Sequence, residues 1–485
     1  LDTSSVVLVT LILYKVVLIG VGLWASSRNK SSTDFFLGGR ELGPFVAGLS
    51  YAASTSSAWV ILGFSGFVYS LGLSALWMVP GIWAGYAVVW LYFGERLRQE
   101  SRERNQITLT DFMLQDARAD GGSRRWVRSV AIVAGLLVVA CFVFYIAAQF
   151  DAAGKALAGH FAISVPSAVV LGAVIVLIYS MLGGFWAVSV TDMLQAIIML
   201  LVALGVPLAA LSAAGGPLAV WNTLAAEMPP GYLSFSGGHA GLTLAGFVVG
   251  VVGMSLGALG QPQLLTRLMA IKGAKERVTG FRIAIGWGIA VFFGMTVLGL
   301  AGRALMPNLA NAETVFYQAA ANYLPAILAG IVIAATLSAV MSTVDSIMLA
   351  AVGAVAHDMG VTQRFPSRAL LLSRLIMLGV ATLSVLLTLS LPDTIFNRVL
   401  FAWSALGAAF GPIVLWRVMG KRVSATAALV SMLAGFATTV AFYTLGGAPA
   451  TQSLLSQAAH LPGDPFERVF PWLPALLALV VLARR

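Results

Sequence analysis

The chain reads as a succession of long apolar runs parted by short polar connections. These runs lie at about 6–25, 44–70, 75–94, 127–157, 165–182, 186–211, 241–271, 275–305, 324–357, 367–391, 395–417, 422–446 and 467–483. A helix crosses the hydrocarbon core with roughly 20 residues, so about 13 transmembrane helices are expected. Several runs exceed that length and are expected to tilt or protrude. The hydrophobicity is continuous and does not alternate, which excludes a β-barrel. The predicted fold class is therefore an all-α integral membrane protein. The longest connections, 95–126, 212–240 and 447–466, are expected to be loops, with no separate soluble domain.

Composition supports this reading. The chain is 59% hydrophobic and only 10% charged, with a mean hydropathy of +0.92. Soluble domains carry about 25% charged residues. A net charge of +10 would suggest nucleic acid in a soluble protein. Here the basic residues instead follow alternate runs. Arg28, Lys30 and Arg40 follow the first, and Arg96 to Arg128 the third. Lys272 to Arg282 follow the seventh, Arg364 to Arg374 the ninth, and Lys421 and Arg422 the eleventh; Arg484 and Arg485 follow the last. The 212–240 connection holds no Lys or Arg. The positive-inside rule then places the N-terminus outside and the C-terminus in the cytoplasm of a multi-pass membrane protein. Its partners are the lipid bilayer and small solutes, not nucleic acid. The first run lacks a basic leader and holds Lys15, so it reads as a spanning helix and not as a signal peptide. The single cysteine, Cys141, excludes an intrachain disulfide.

The second run carries Ser50-Tyr51-Ala52-Ala53-Ser54-Thr55-Ser56-Ser57-Ala58-Trp59 at membrane depth. Hydroxyls compete for backbone hydrogen bonds, and small side chains admit a neighbouring backbone. A helix broken here frees carbonyl oxygens for a cation; the alternative is a tight helix–helix contact. The seventh run contains Gly250, Gly253, Gly257, Gly260 and then Gln261-Pro262, breakers that predict an interruption between Gly257 and Pro262. The two interrupted runs are five runs apart. That spacing predicts two five-helix units of opposite topology with a site near mid-membrane, the plan of a secondary transporter. The division expected is 1–43 as an extra N-terminal helix and loop, 44–212 and 241–419 as the repeats, and 420–485 as two C-terminal helices.

In the ninth run Ala339, Ser342, Thr343 and Ser346 recur at three- and four-residue spacing and share a helix face. Hard cations take oxygen ligands. Hydroxyls of this face and carbonyls near Ala53 and Ser56 suit a monovalent ion; the alternative is a polar seam with hydroxyls bonded to their own helix. Asp345, and Asp192 early in the sixth run, are carboxylates in spanning helices and functional candidates by cost alone. With Ser342 and Ser346 they could hold a second cation or a proton. Lys15 and Asp151 are further charges at membrane depth. Gln149, one turn beyond Tyr145, is a polar group on an apolar helix. No P-loop, His/Cys metal cluster or hydrolase triad is present, so ATP coupling and enzymatic activity are not expected.

Several short stretches then carry a resemblance. Phe35-Phe36-Leu37-Gly38-Gly39-Arg40, the segment from Leu49 to Trp59, and Gly183-Gly184-Phe185-Trp186-Ala187 leading to Thr191-Asp192 stand in order. Gly260-Gln261-Pro262, Met341 to Ser346, and Ala402-Trp403 through Phe410-Gly411-Pro412 follow. Over nearly its whole length the chain resembles the sodium/solute symporter family, especially its bacterial sodium/proline branch. The resemblance implies a LeuT-type 5+5 inverted-repeat core with broken helices, one helix before it and two after. It implies sodium-coupled import of a small organic solute, an amino acid such as proline or an organic acid, by alternating access. It also implies sodium ligands at Ala53, Ser56, Ala339, Ser342 and Thr343, and a second-cation set of Asp192, Ser342, Asp345 and Ser346. Solute candidates are Ser54, Ser57, Tyr145, Gln149, Met254, Ala258 and Gln261, with Trp403 as a gate. The proline branch has an aspartate at Thr55, a glycine at Ala58, a tryptophan at Met254 and a tyrosine at Ala258. These departures imply a wider pocket with less ring stacking, and put proline itself in question. Two other readings stay open: a transporter-like sensor module of a signalling protein, and a proton-coupled carrier using Asp192 or Asp345.

Overall fold

The computed structural model describes residues 9, 12–13, 16–21, 23–24, 32–119, 123–161, 163–181, 184–391, 393–446 and 468–482. Among these the chain is nearly all helix, and the only strand-like pairing is one isolated bridge between Leu42 and Ile271. Part of the first apolar run, including Lys15, lies outside the described residues.

The second run forms α1 (Pro44–Ala58), a wide-turned stretch over Trp59–Phe64 and α2 (Ser65–Leu71). The third forms α3 (Met78–Ala87), widens again, and continues as α4 (Gly94–Glu103). Then follow α5 (Arg124–Phe161), α6 (Val165–Ser180) and α7 (Phe185–Ala213). The seventh run is divided into α8 (Gly241–Gly253), α9 (Ser255–Ala258) and α10 (Pro262–Ala270). The rest comprises α11 (Ala274–Leu305), α12 (Ala326–Val352), α13 (Ala369–Ser390), α14 (Ile395–Val418), α15 (Ala425–Gly446) and α16 (Trp472–Leu482). At 38 residues α5 is about 57 Å long, well beyond the bilayer core.

Two connections read as loops carry structure of their own. Short helices occupy Leu109–Met113, Gln115–Ala119 and Pro217–Glu227. Thr108 caps the first with a reciprocal bond to Asp111, a local signal set by residue type and three-residue spacing.

Burial separates central from lipid-facing helices. The best apolar window in Gly330–Asp358 is 94% buried and that in Ile395–Val418 is 89%, against 28% in Leu371–Ser390. Hence α12 and α14 line the interior and α13 faces outward, although all three are apolar. Helix α1 packs against α7, α11 and α12, while α5 packs against α6, α12, α13 and α14. The two interrupted segments are tied at their ends: Leu42 donates to the Ala270 carbonyl and accepts from the Lys272 amide, both at 3.1 Å. The entry to α1 and the exit of α10 are therefore joined backbone to backbone. Glycine permits the close approach of the second interruption to α14. A Cβ on Gly260 would stand 2.2 Å from the Leu406 carbonyl oxygen, and one on Gly257 3.0 Å from Trp403.

Candidate functional site

The α1 run breaks at Ser57, which has φ 38° and ψ −168°, a strained backbone for a residue with a Cβ. Two amides leave the helical pattern there. The Ala58 N–H donates to Gln149 Oε1 at 3.2 Å. The Trp59 N–H turns to the Ser56 carbonyl, while the Trp59 indole N–H takes the Thr55 carbonyl at 2.9 Å. The carbonyls before the break face α12. Ser342 Oγ lies 3.5 Å from the Ala53 oxygen and 3.1 Å from the Ala339 oxygen, and Thr343 Oγ1 lies 3.4 Å from the Ser54 oxygen. All five residues are buried. Oxygens held at about 2.4 Å around a hard cation lie about 3.4 Å apart at right angles, so this uncharged cluster has the spacing and donor type for a monovalent ion. Ser56, whose carbonyl retains the Trp59 amide, closes the break beside it.

On the other side of the break, Gln149 Nε2 donates to Ser57 Oγ at 3.4 Å, joining α5 to α1. Tyr145, one turn earlier, faces Ser57 and Trp403. Its hydroxyl, the Trp403 indole N–H and Gln261 Nε2 are buried without a hydrogen-bond partner. Buried polar atoms left unpaired are costly, and these three are free to bond a ligand. Trp403 also meets Trp59, their ring centroids 6.5 Å apart. Gln261 is the extended residue at the entry to α10, and its Oε1 accepts from Gln263 Nε2 at 3.1 Å. Met254 and Ala258, at the junctions of α9, are buried within this interruption.

The acidic candidates part company. Asp192 on α7 is fully buried; its Oδ2 accepts from Ser50 Oγ at 2.8 Å, Ser346 Oγ at 3.3 Å and Ser54 Oγ at 3.4 Å. Ser54, expected in the solute pocket, thus turns its hydroxyl to this second cluster. Asp345 accepts from Ser180 of α6. One residue of helix is about 100° of rotation, so Asp345 cannot share the face of Ser346. Asp192, Ser342 and Ser346 come together around Ser54, and Asp345 is directed away.

A cation already stands among these oxygens, the side chain of Arg267 on α10. Its Nη2 lies 2.8 Å from Asp192 Oδ2, 2.6 Å from Ser54 Oγ and 2.5 Å from Ser346 Oγ. Its Nε donates to Ser50 Oγ at 2.9 Å and its Nη1 to the Gln263 carbonyl at 2.6 Å. Sequence reasoning missed this residue, since it sits near the end of an apolar run that basic residues follow. The signal was present: a lone arginine inside Leu264-Leu265-Thr266-Arg267-Leu268-Met269-Ala270-Ile271. Lys155 was missed likewise; it pairs with Asp151 at 2.8 Å and with Glu313 at 3.4 Å. A cavity of about 30 Å³ touches Gln263, Thr266 and Ser346 as well as Thr108 and Asp358. A larger one, about 470 Å³, shares Asp358 and continues among Asp111, Arg118 and Arg128 on the arginine-rich side.

Two interrupted helices, an uncharged oxygen cluster between α1 and α12, and unpaired polar groups beside the α1 break define a secondary transporter of the broken-helix class. Within that class, the chain belongs to the sodium:solute symporter family, whose sequence model matches residues 35–435. It is 32% identical to sodium/proline symporter 2 of Staphylococcus saprophyticus, over 88% of this chain and 84% of that protein. It is 30% identical to the osmoregulated proline transporter OpuE of Bacillus subtilis, over 92% and 91%. In fold it is similar to a Na+-coupled sialic acid symporter in a substrate-bound outward-open state, with TM-score 0.79, 16% identity and coverage of 99% and 97%. It is similar also to a nucleobase-cation-symport-1 family transporter in a closed conformation, with TM-score 0.56, 13% identity and coverage of 94% and 96%. The expected LeuT-type fold holds, and sodium is the coupling ion of the family the chain belongs to.

Proposed function

We propose that this protein imports a small carboxylate-bearing solute, an amino acid or organic acid, together with sodium across the cell inner membrane. Sodium is held by the Ala53, Ser56 and Ala339 carbonyls and the Ser342 and Thr343 hydroxyls. The observation that carries this reading is the Ser57 break, which directs carbonyls of α1 to the hydroxyls of α12 on one side and opens a polar gap beside Gln149 and Tyr145 on the other. Sodium bound between α1 and α12 joins the two halves, and the solute completes the gap with Tyr145, Trp403 and Gln261. Met254, Ala258 and Ser57 shape its wall. The relatives named for proline make proline the first solute to try.

The repeats are taken as 44–212 and 241–419, with the arginine-rich face cytoplasmic, the N-terminus outside and the C-terminus inside. The cavities beyond Ser346 then mark the inner exit. Rocking of one repeat against the other exposes the site alternately to each side, and sodium favours whichever state it binds more tightly.

The test is uptake of labelled proline into proteoliposomes under an inward sodium gradient, with unlabelled amino acids and carboxylates as competitors. Sodium-driven uptake is expected. Uptake driven equally by potassium, or by a pH gradient without sodium, would reject the reading. No uptake or competition by any solute would favour a sensor role.

A further inference from the structure

Arg267 holds the oxygens that a second cation would use. Its guanidinium is 1% exposed and meets α1 through Ser50 and Ser54, α7 through Asp192 and α12 through Ser346. A buried carboxylate needs a compensating charge, and a buried guanidinium needs one equally. Here the two cancel, and the hydroxyls of two helices, α1 and α12, complete both. A metal cation at the same oxygens would collide with the guanidinium or add a net positive charge to an apolar interior. We infer that Arg267 is the resident second cation of this transporter: it fills the cluster of Ser50, Ser54, Asp192 and Ser346, and the chain binds one sodium ion, at the α1–α12 site.

This inference rests on the proposed sodium site and makes a claim that site does not. The principal cluster is uncharged, so it binds sodium whatever stands beside Asp192. The Asp192 cluster carries a formal negative charge as soon as the guanidinium is removed. It then presents a carboxylate and three hydroxyls, the donor set a hard monovalent cation takes.

Sodium-22 binding to the purified full-length chain, counted per protein, tests this directly. One ion is expected for the wild type. Arg267→Met is expected to double the count to two, and Asp192→Asn combined with Arg267→Met to return it to one. Arg267→Lys, which keeps a cation in place, stays at one. If Arg267→Met does not fold, Arg267→Gln replaces it, since its amide still reaches the hydroxyls without charge. Two ions in the wild type, or one ion in a folded neutral Arg267 variant, would overturn the inference. No sodium bound to the wild type would instead count against the α1–α12 site itself, so the two failures are distinguishable.

Discussion

Ser342 Oγ stands 3.5 Å from the carbonyl oxygen of Ala53, a contact between residues 289 positions apart that joins α12 to the last turn before the α1 break. Neither group is charged, so the contact is weak until a cation lies between them. Ser342→Ala removes one ligand of about five and leaves a small cavity. A lost neutral ligand is worth about 1–2 kcal/mol, or roughly tenfold in affinity. The sodium concentration for half-maximal uptake should rise by about that factor in Ser342→Ala and Thr343→Ala, and little in Thr343→Ser. Unchanged sodium activation in both alanine variants would sink the assignment.

Tyr145 separates recognition from stability. Its hydroxyl is buried but makes no hydrogen bond in the structure. Tyr145→Phe deletes only that atom, so thermal stability should be unchanged or slightly raised. If the hydroxyl meets the solute, KM should rise by about tenfold. A fall in stability with KM unchanged would make it a structural group.

The close approach of the second interruption to α14 admits little substitution. Gly260→Ala places a Cβ against the Leu406 carbonyl, where backbone and not a flexible side chain must yield. A loss of about 1–3 kcal/mol is expected from overpacking, read as a lower midpoint of thermal unfolding. Gly286→Ala, where the added carbon meets nothing within 4 Å, is the control and should be neutral or better.

Much of this was legible in the chain, and the exceptions have a common cause. The α1 break followed from small and hydroxyl residues between Ser50 and Trp59, and the second from Gly257, Gly260 and Pro262, because backbone propensity is local. Helix positions followed from hydropathy for the same reason. Arg267 was not legible as a site residue because its partners Asp192 and Ser346 lie 75 and 79 positions away. Its place near the end of an apolar run, just before Lys272 and Lys275, masked it. Asp345 fails similarly, since its partner is Ser180 on another helix. Periodicity shows which residues share a face, but not which helix that face meets.

On the arginine-rich side, Asp111 provides a pH prediction. It accepts from His357 at 3.0 Å and from Arg118 at 2.6 Å, and from the Ile107 amide at 2.9 Å. Burial alone would raise its carboxyl, but the hydrogen bond and charge of His357, with Arg118 and Ile107, hold it well below the usual carboxylate range. A carboxyl depressed in the folded state stabilises fully above its unfolded value, near 3.9, and loses that contribution as the pH falls toward its folded value. Asp111→Asn should therefore lower the unfolding midpoint at pH 7, with the gap from wild type narrowing only below about pH 4. A gap that closes between pH 7 and pH 5 would mean that Asp111 titrates there and that its carboxylate is not held in the way its neighbours imply.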